Sequence, residues 1–161
     1  MSKYGLKVAV KYGEKLKKFS SKSEAEDYFF LYKNNLLNKL EIICKLNACF
    51  LPDYTVESLK KIEKWYFDMF EKNEFELAGV TRNEFESMMS VYFGEVVVKN
   101  NEDAKWLVEE FPFVPSKYEL MVNKGGNCNM SIENKCQDFY KEPANKRRNL
   151  LFREYNKYFA E

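Results

Sequence analysis

The fold is decided by the stretch at residues 80–100, which reads VTRNEFESMMSVYFGEVVVKN. Thr81 and Glu84 have the spacing of a capping box, which predicts that a helix begins at Thr81. Further valines occupy the other sides of its last two turns, so this helix, over residues 81–98, should be covered from more than one direction. Its main apolar stripe recurs at three- and four-residue steps and consists of Phe85, Met88, Met89, Tyr92 and Val96.

Two residues near the end of this helix differ from their apolar surroundings. Gly94 lies opposite the main stripe, where a glycine costs roughly 1 kcal/mol relative to alanine. Its missing side chain therefore indicates that another backbone comes close at this point. Glu95 places a carboxylate at the edge of a mostly apolar surface.

The residues after the helix predict a hairpin. An apolar run at 106–113 is followed by YELMVNKGGNCNMSI at residues 118–132. Lys124, Gly125, Gly126 and Asn127 separate two strand-like halves of that segment, as a turn would. The turn has neither the P-loop nor the GxGxxG spacing, so the backbone N–H groups of a phosphate site are not indicated.

The first twenty residues allow two interpretations. Residues 5–12 alternate between apolar and mostly basic positions, which favours a half-exposed strand, and Gly13 with Glu14 could turn into a second strand ending at Phe19. The alternative is a basic amphipathic helix with Leu6, Val10, Leu16 and Phe19 facing inward. Six lysines against one glutamate give this segment a net charge of 6 − 1 = +5.

Apolar periodicity and capping residues predict four further helices. With the helix at 81–98, they predict a single α+β domain over residues 1–161, in which about five helices pack on a small, mostly antiparallel sheet. The four further helices span residues 22–47, 55–72, 132–141 and 144–159.

Composition excludes several classes of function. The 161 residues include no histidine, which removes Ser-His-Asp and Cys-His catalysis and most transition-metal sites. Cys44, Cys49, Cys128 and Cys136 lack the spacing of a zinc site, and we expect reduced thiols. The sequence therefore predicts neither a metal nor a cofactor.

Charge and hydropathy limit location and partners. Lys plus Arg total 26 and Asp plus Glu total 25, so the net charge of +1 disfavours binding to nucleic acid. The sequence has no apolar run of about 18 residues and no secretory signal pattern, so we expect a cytoplasmic protein without a membrane span.

The sharpest candidate for catalysis is a pair of carboxylates, Glu63 and Glu95. Two carboxylates in apolar surroundings can take different pKa values and act as acid and base. The structural alternative, which we favour, is that each accepts hydrogen bonds from a tyrosine, a tryptophan N–H or a helix N-terminus.

Two surfaces are candidates for binding. Residues 81–120 carry four bases and eight acids, a net charge of 4 − 8 = −4 that suits a basic partner. A basic helix face near the C-terminus is the candidate for nucleic acid and holds Arg147, Arg148 and Arg153. The candidate contacts for a protein partner within the acidic segment are Trp106, Glu109, Glu110, Phe111 and Phe113.

Several short motifs occur in a suggestive order: Ser58-Leu59, Ile62-Glu63 and Trp65, then YFGEVV at residues 92–97, then Lys105-Trp106. Over residues 53–160 this order resembles a loose group of small, uncharacterised bacterial cytoplasmic proteins, some of them similar to immunity proteins for secreted toxins. The resemblance implies an α+β fold in which the Gly-Glu segment ends a helix packed on a sheet. It implies no activity.

These observations favour a non-catalytic protein that binds another protein, with toxin neutralisation as a specific form of that role. The alternative is a small carboxylate-dependent hydrolase or ligand-binding protein that uses Glu63 and Glu95. No residue pattern predicts the partner, the substrate or the oligomeric state.

Overall fold

The computed structural model describes residues 2–47, 50–126 and 128–160. Over these residues it confirms the α+β class, with five α-helices and one three-stranded antiparallel sheet. Cys49 and Asn127 lie outside the described residues. The helices are α1 (Lys3–Glu14), α2 (Lys22–Asn47), α3 (Ser58–Lys72), α4 (Arg82–Asn100) and α5 (Leu150–Tyr158); the strands are β1 (Ala104–Glu110), β2 (Tyr118–Lys124) and β3 (Cys128–Ser131).

Helix α4 is buried around its whole circumference. Thr81 caps it by accepting the Glu84 N–H at 3.1 Å, as the capping box predicts. Helices α2 and α3 and strands β1 and β2 all contact it, because a helix that is apolar on every side must be enclosed on every side. Its fully buried apolar side chains are Phe85, Met88, Met89, Val91, Tyr92, Phe93, Val96 and Val97.

The sheet has the strand order β1-β2-β3, in which each strand pairs with its neighbour along the chain. Trp106 pairs with Val122, and Val122 pairs with Met130. Gly125 and Gly126 have φ values of +63° and +80°, which glycine adopts without strain, so they connect β2 to β3 tightly. The predicted hairpin is confirmed, and the apolar run before it supplies the third strand.

A ring, rather than a backbone, explains Gly94. A Cβ atom at this position would lie 2.2 Å from Cη2 of Trp106. The indole of β1 therefore lies directly on the bare backbone of α4, and this contact joins the central helix to the sheet.

The strand predicted for residues 5–12 is wrong, because these residues form helix α1. Ser2 caps the helix by accepting the Gly5 N–H at 3.0 Å. Of the residues that the helical alternative places inward, Leu16 and Phe19 are buried, Val10 is half-buried and Leu6 is exposed, while the α1 residue buried against Phe111 is Gly13. Small residues spaced four apart, Gly5, Ala9 and Gly13, let the helix lie close to the rest of the protein.

The helix predicted for residues 132–141 is also wrong. This segment forms turns and a single 3₁₀ turn at Phe139–Lys141. Three of its backbone N–H groups bond to other elements: that of Ile132 donates to the Leu120 carbonyl, that of Cys136 to Ser90 Oγ and that of Asp138 to Glu86. Others donate to the carbonyl three residues earlier, which closes separate turns. Tertiary hydrogen bonds and short turns thus take the place of the i→i−4 hydrogen bonds of an α-helix.

The last predicted helix is shorter than expected. A 3₁₀ turn occupies Ala144–Lys146, and Asn149 has a φ of 53°, so α5 begins only at Leu150. Apolar periodicity had continued through residues that the backbone does not place in one helix.

We expect Gly94→Ala to destabilise the protein by about 1–3 kcal/mol, because overpacking against Trp106 outweighs the gain in helix propensity. Urea denaturation would measure the loss. The double variant Gly94→Ala with Trp106→Phe is the control, and it should lose less than the sum of the two single changes. A stabilised Gly94→Ala protein would contradict the close contact.

Candidate functional site

Glu63 accepts hydrogen bonds from the start of helix α5. Its two carboxylate oxygens lie 3.0 Å from the backbone N of Leu150 and 3.0 Å from that of Leu151. Asn149 precedes the helix without capping it through its side chain, so Glu63, from α3, provides the negative group that a helix N-terminus favours. Burial raises the pKa of Glu63, while the two N–H groups act in the opposite direction.

Glu95 lies between a tryptophan and a lysine. Its Oε2 accepts the Nε1–H of Trp106 at 3.0 Å, and Lys33 Nζ lies 3.9 Å from the same oxygen. The lysine also lies over the indole ring, 5.2 Å from its centroid. This carboxylate therefore fixes the ring that covers Gly94.

The structure gives Glu63 and Glu95 no common hydrogen-bond partner. Glu63 lines a cleft of about 490 Å³ between α3 and the segment before α5, and Glu95 is not among the residues that line this cleft. Their contacts, a helix N-terminus and a tryptophan N–H, belong to the kinds that the structural alternative names. The geometry supplies no support for a shared acid–base site.

The predicted contacts for a protein partner differ in accessibility. Trp106 and Phe111 face other parts of the protein, and Phe111 lies against Tyr12 with a centroid distance of 5.6 Å. Glu109 pairs with Lys22 at 3.5 Å, and Glu110 accepts the backbone N–H of Ser116 at 2.9 Å. Phe113 is 39% exposed, Glu110 is exposed and the Glu109 side chain is 47% exposed, so these three remain accessible.

Most acids of the acidic segment make contacts within the chain, although Glu102 and Asp103 are exposed. Six of its eight acids bond or pair within the chain, and two of these six, Glu86 and Glu119, are buried. The electrostatic argument for a basic partner therefore loses its main support. The six acids are Glu84, Glu86, Glu95, Glu109, Glu110 and Glu119.

Of the arginines proposed for binding nucleic acid, some are bonded within the chain and one is exposed. Arg147 donates to the carbonyls of Tyr140 and Glu142, both at 2.8 Å, and Arg153 donates to that of Arg148 at 2.8 Å. These bonds hold the segment before α5 in place. Arg148 itself is exposed.

A buried carboxylate that the sequence did not single out, Glu86, connects three parts of the fold. It accepts the hydroxyl of Tyr66 at 2.6 Å, the backbone N–H of Asp138 at 3.0 Å and a guanidinium N–H of Arg82 at 3.3 Å. Burial and this carboxylate raise the pKa of Tyr66 far above its ordinary value. Glu86 thus provides one of the acceptors that hold residues 132–141 in their irregular conformation.

A second unpredicted group lies beneath α1. The Tyr12 hydroxyl donates to Glu119 Oε1 at 3.2 Å, and Ser131 Oγ donates to the same oxygen at 3.1 Å. The two hydroxyl oxygens lie 3.5 Å apart. We call Tyr12, Glu119, Ser131 and the neighbouring Glu133 the Tyr12 cluster.

Glu133 is the most perturbed carboxylate of the Tyr12 cluster. Its Oε1 is buried and has no hydrogen-bond partner within the described ranges. Burial and the negative charge of Glu119 raise the pKa of Glu133 to about 7, while the positive charge of Lys17 and the backbone N–H of Leu120 oppose them. Glu133 also lines a small cavity of about 110 Å³, together with Glu86 and Ser87 of α4.

Sequence reasoning missed the Tyr12 cluster because both of its flanking segments were predicted in the wrong conformation. Tyr12 lay in an expected strand, and Glu133 lay in an expected helix. The only local signal was a set of polar residues, Glu119, Ser131 and Glu133, next to strongly apolar positions of β2 and β3.

Helix α1 combines exposed lysines with exposed apolar side chains. Its lysines, Lys3, Lys7 and Lys11, recur every four residues and form one exposed ridge, which we call the lysine ridge. Exposed apolar side chains flank it: Tyr4 is 79% exposed, Val8 51% and Leu6 44%. Such a concentration of open apolar surface on a helix of 12 residues is typical of a binding surface.

Among the residues that the structure describes, no group of three or more cysteine or acidic side chains has the geometry to hold a metal ion. No helix in the same ranges is long and apolar enough to cross a membrane.

Comparison with known proteins gives one family. The model of a family described as "Uncharacterised protein YwmA" matches residues 18–159. A Bacillus subtilis (strain 168) protein described as uncharacterized protein YwmA is 29% identical over 136 residues, covering 84% of this chain and 85% of the relative. No solved structure matches. These matches support a small uncharacterised bacterial protein, and neither description concerns toxin immunity.

We expect Glu63→Ala to lower the free energy of unfolding by roughly 1–3 kcal/mol, because two backbone N–H groups at the start of α5 lose their acceptor. Urea denaturation measures the change. Glu71→Ala, an exposed position on the same helix, is the control and should change stability by less than about 0.5 kcal/mol. Equal effects of the two substitutions would contradict the capping role.

We expect Glu133→Gln to stabilise the protein at pH 8 but not at pH 4. Because folding raises the pKa of Glu133 from 4.5 to about 7, ionisation penalises the folded state increasingly between these two values. The penalty reaches on the order of 3 kcal/mol above pH 7.

Urea denaturation of Glu133→Gln from pH 4 to pH 8 would test this sign. Glu102→Gln, an exposed position, serves as the control and should follow the wild-type pH profile. If Glu133→Gln instead loses the most stability relative to the wild type at pH 8, the ionised carboxylate is favourably paired.

Proposed function

The chain belongs to the YwmA family, and we propose that it acts in the cytoplasm as a non-catalytic protein that binds another protein through helix α1. The observation that carries the proposal is the lysine ridge with its exposed apolar flanks. Because α1 precedes the residues matched by the family model, the proposal concerns this chain rather than the family as a whole.

The shape of the ridge suggests how a partner would bind. Gly5, Ala9 and Gly13 face the protein, so the lysines of α1 point away from it and the apolar side chains lie on the two sides. A helix presented in this way fits a groove, which is a common mode of helix recognition. The complementary groove has acidic residues along its floor and apolar residues on its walls.

The lysine ridge suits an acidic partner, whereas the acidic segment had suggested a basic one. Most of that segment's acids pair internally, whereas the ridge lysines form no ion pair within the described residues. An acidic partner would therefore meet a charge that is free to attract it and to speed encounter. A toxin neutralised by occlusion of an acidic groove is one specific form of this role.

The alternative function, a carboxylate-dependent hydrolase using Glu63 and Glu95, receives less support from the geometry. Each of these carboxylates is occupied by a structural hydrogen bond, and the structure does not connect them. Protein binding remains the better account because the chain leaves apolar side chains of α1 open.

Binding through α1 predicts that a lysate protein recovered with the wild-type chain at a 1:1 ratio will bind the Lys7→Glu, Lys11→Glu variant at least about tenfold more weakly. Charge reversal places like charges opposite each other and slows association. The lysate is first cleared of membranes and treated with nuclease, and affinity is then measured by calorimetry with the purified partner.

The matched control is Lys105→Glu, Lys157→Glu, which reverses two exposed lysines outside α1. Leu6→Ala should also weaken binding, whereas Leu77→Ala, at an exposed leucine elsewhere, should not. If the wild-type chain returns no stoichiometric partner, the proposed function fails. If the partner binds all variants equally, α1 is not the binding surface.

A further inference from the structure

We propose that the Tyr12 cluster is a proton-binding site that controls how firmly helix α1 is held against the sheet. The biological meaning of this control rests on the proposed function of α1. The control itself is a property of the isolated chain and is measurable without a partner.

Helix α1 makes few hydrogen bonds to the rest of the protein. Within the described residues, Tyr12 is the α1 side chain that hydrogen-bonds to the sheet, through Glu119 of β2 and Ser131 of β3. Lys117 Nζ also donates to the carbonyl of Glu14, the last residue of α1, at 3.1 Å, and Gly13 and Tyr12 pack on Phe111. A change in the acceptor group beneath Tyr12 therefore acts directly on the helix.

Two carboxylates, those of Glu119 and Glu133, lie close together near Tyr12. Glu133 comes close enough to Glu119 for their charges to interact, and Tyr12 lies near both. One buried oxygen of Glu133 lacks a hydrogen-bond partner within the described residues, and the Leu120 backbone N–H only partly offsets the cost of a second negative charge here. Two ionised carboxylates without sufficient donors are costly in a covered site.

The charged and titratable groups around Glu133 come from α1, α2, α4 and β2 and from the segment between α1 and α2. Lys17, between α1 and α2, is the positive group that acts on it. Glu119 comes from β2, Tyr12 from α1 and Tyr32 from α2, and Glu86 of α4 lines the same small cavity. The remaining groups are acidic or phenolic, so the surroundings favour a neutral Glu133.

The direction of the effect follows from these surroundings. When Glu133 is protonated, the cluster carries one carboxylate charge and Tyr12 covers it. When Glu133 ionises, opening of α1 lets water reach both carboxylates and relieves their repulsion. Since opening lowers the pKa of Glu133 toward its ordinary value, a rise in pH through the range from 4.5 to about 7 favours the open state.

Amide hydrogen exchange of the full chain tests the proposal. Protection factors of the α1 amides, corrected for intrinsic exchange, are compared at pH 6 and pH 8 with and without about 0.5 M urea. A local opening exposes little surface and depends little on urea. If opening restores the ordinary pKa of Glu133, the protection of α1 should fall about tenfold between these pH values.

Two variants separate this device from a general loss of stability. In Glu133→Gln the protection of α1 should be independent of pH, and in Glu102→Gln it should fall as in the wild type. Constant protection of α1 in the wild type, or an equal fall in Glu133→Gln, would overturn the proposal. So would α1 exchange that occurs only through urea-dependent global unfolding.

The two proposals fail in different ways. A partner that binds through α1 with the same affinity at pH 6 and pH 8, while protection stays constant, removes the control but keeps the proposed function. Proton-dependent opening in a chain that binds no partner keeps the device and removes its proposed use.

Discussion

The exclusion of water from every side of α4 is the constraint on which the structure depends. A helix with apolar residues around its circumference cannot be half exposed, so the remaining elements are arranged to enclose it. Helices α2 and α3 and the strands β1 and β2 provide this enclosure. Where an ordinary side chain would prevent close approach, Gly94 admits the indole of Trp106, and Glu95 fixes that ring through its N–H.

Enclosing α4 also determines where polar groups are buried. Glu86 and Ser90 lie on this helix and accept backbone N–H groups from the segment after β3. A regular helix at residues 132–141 would use the same N–H groups internally. The side-chain oxygens of Glu86 and Ser90 would then lose these donors. The irregular segment and the polar residues of the central helix therefore require each other.

The parts of the fold that could be predicted from the sequence are those governed by local chemistry. The Thr81 cap, the turn at Gly125 and Gly126 and the stripe of α4 are complete within a few residues, so spacing alone identifies them. The pattern at residues 5–12 fits both a strand and a helix, and the difference lies in the contact between Gly13 and the distant ring of Phe111. The Tyr12 cluster is similarly non-local, because Tyr12 and Glu119 are separated by 107 positions.

The bonds between Glu63 and the start of α5 imply an order of assembly. A nine-residue helix is too short to be stable alone in water, and its first N–H groups find their acceptor on α3, some 87 positions earlier. During synthesis, the carboxylate of Glu63 therefore relies on water until the backbone N–H groups of residues 150 and 151 arrive. Burial of α3 in the core thus depends on completion of the C-terminal segment. In a ribosome-bound chain without residues 150 and 151, the Glu63 carboxylate lacks the helix N-terminus that it caps in the folded protein.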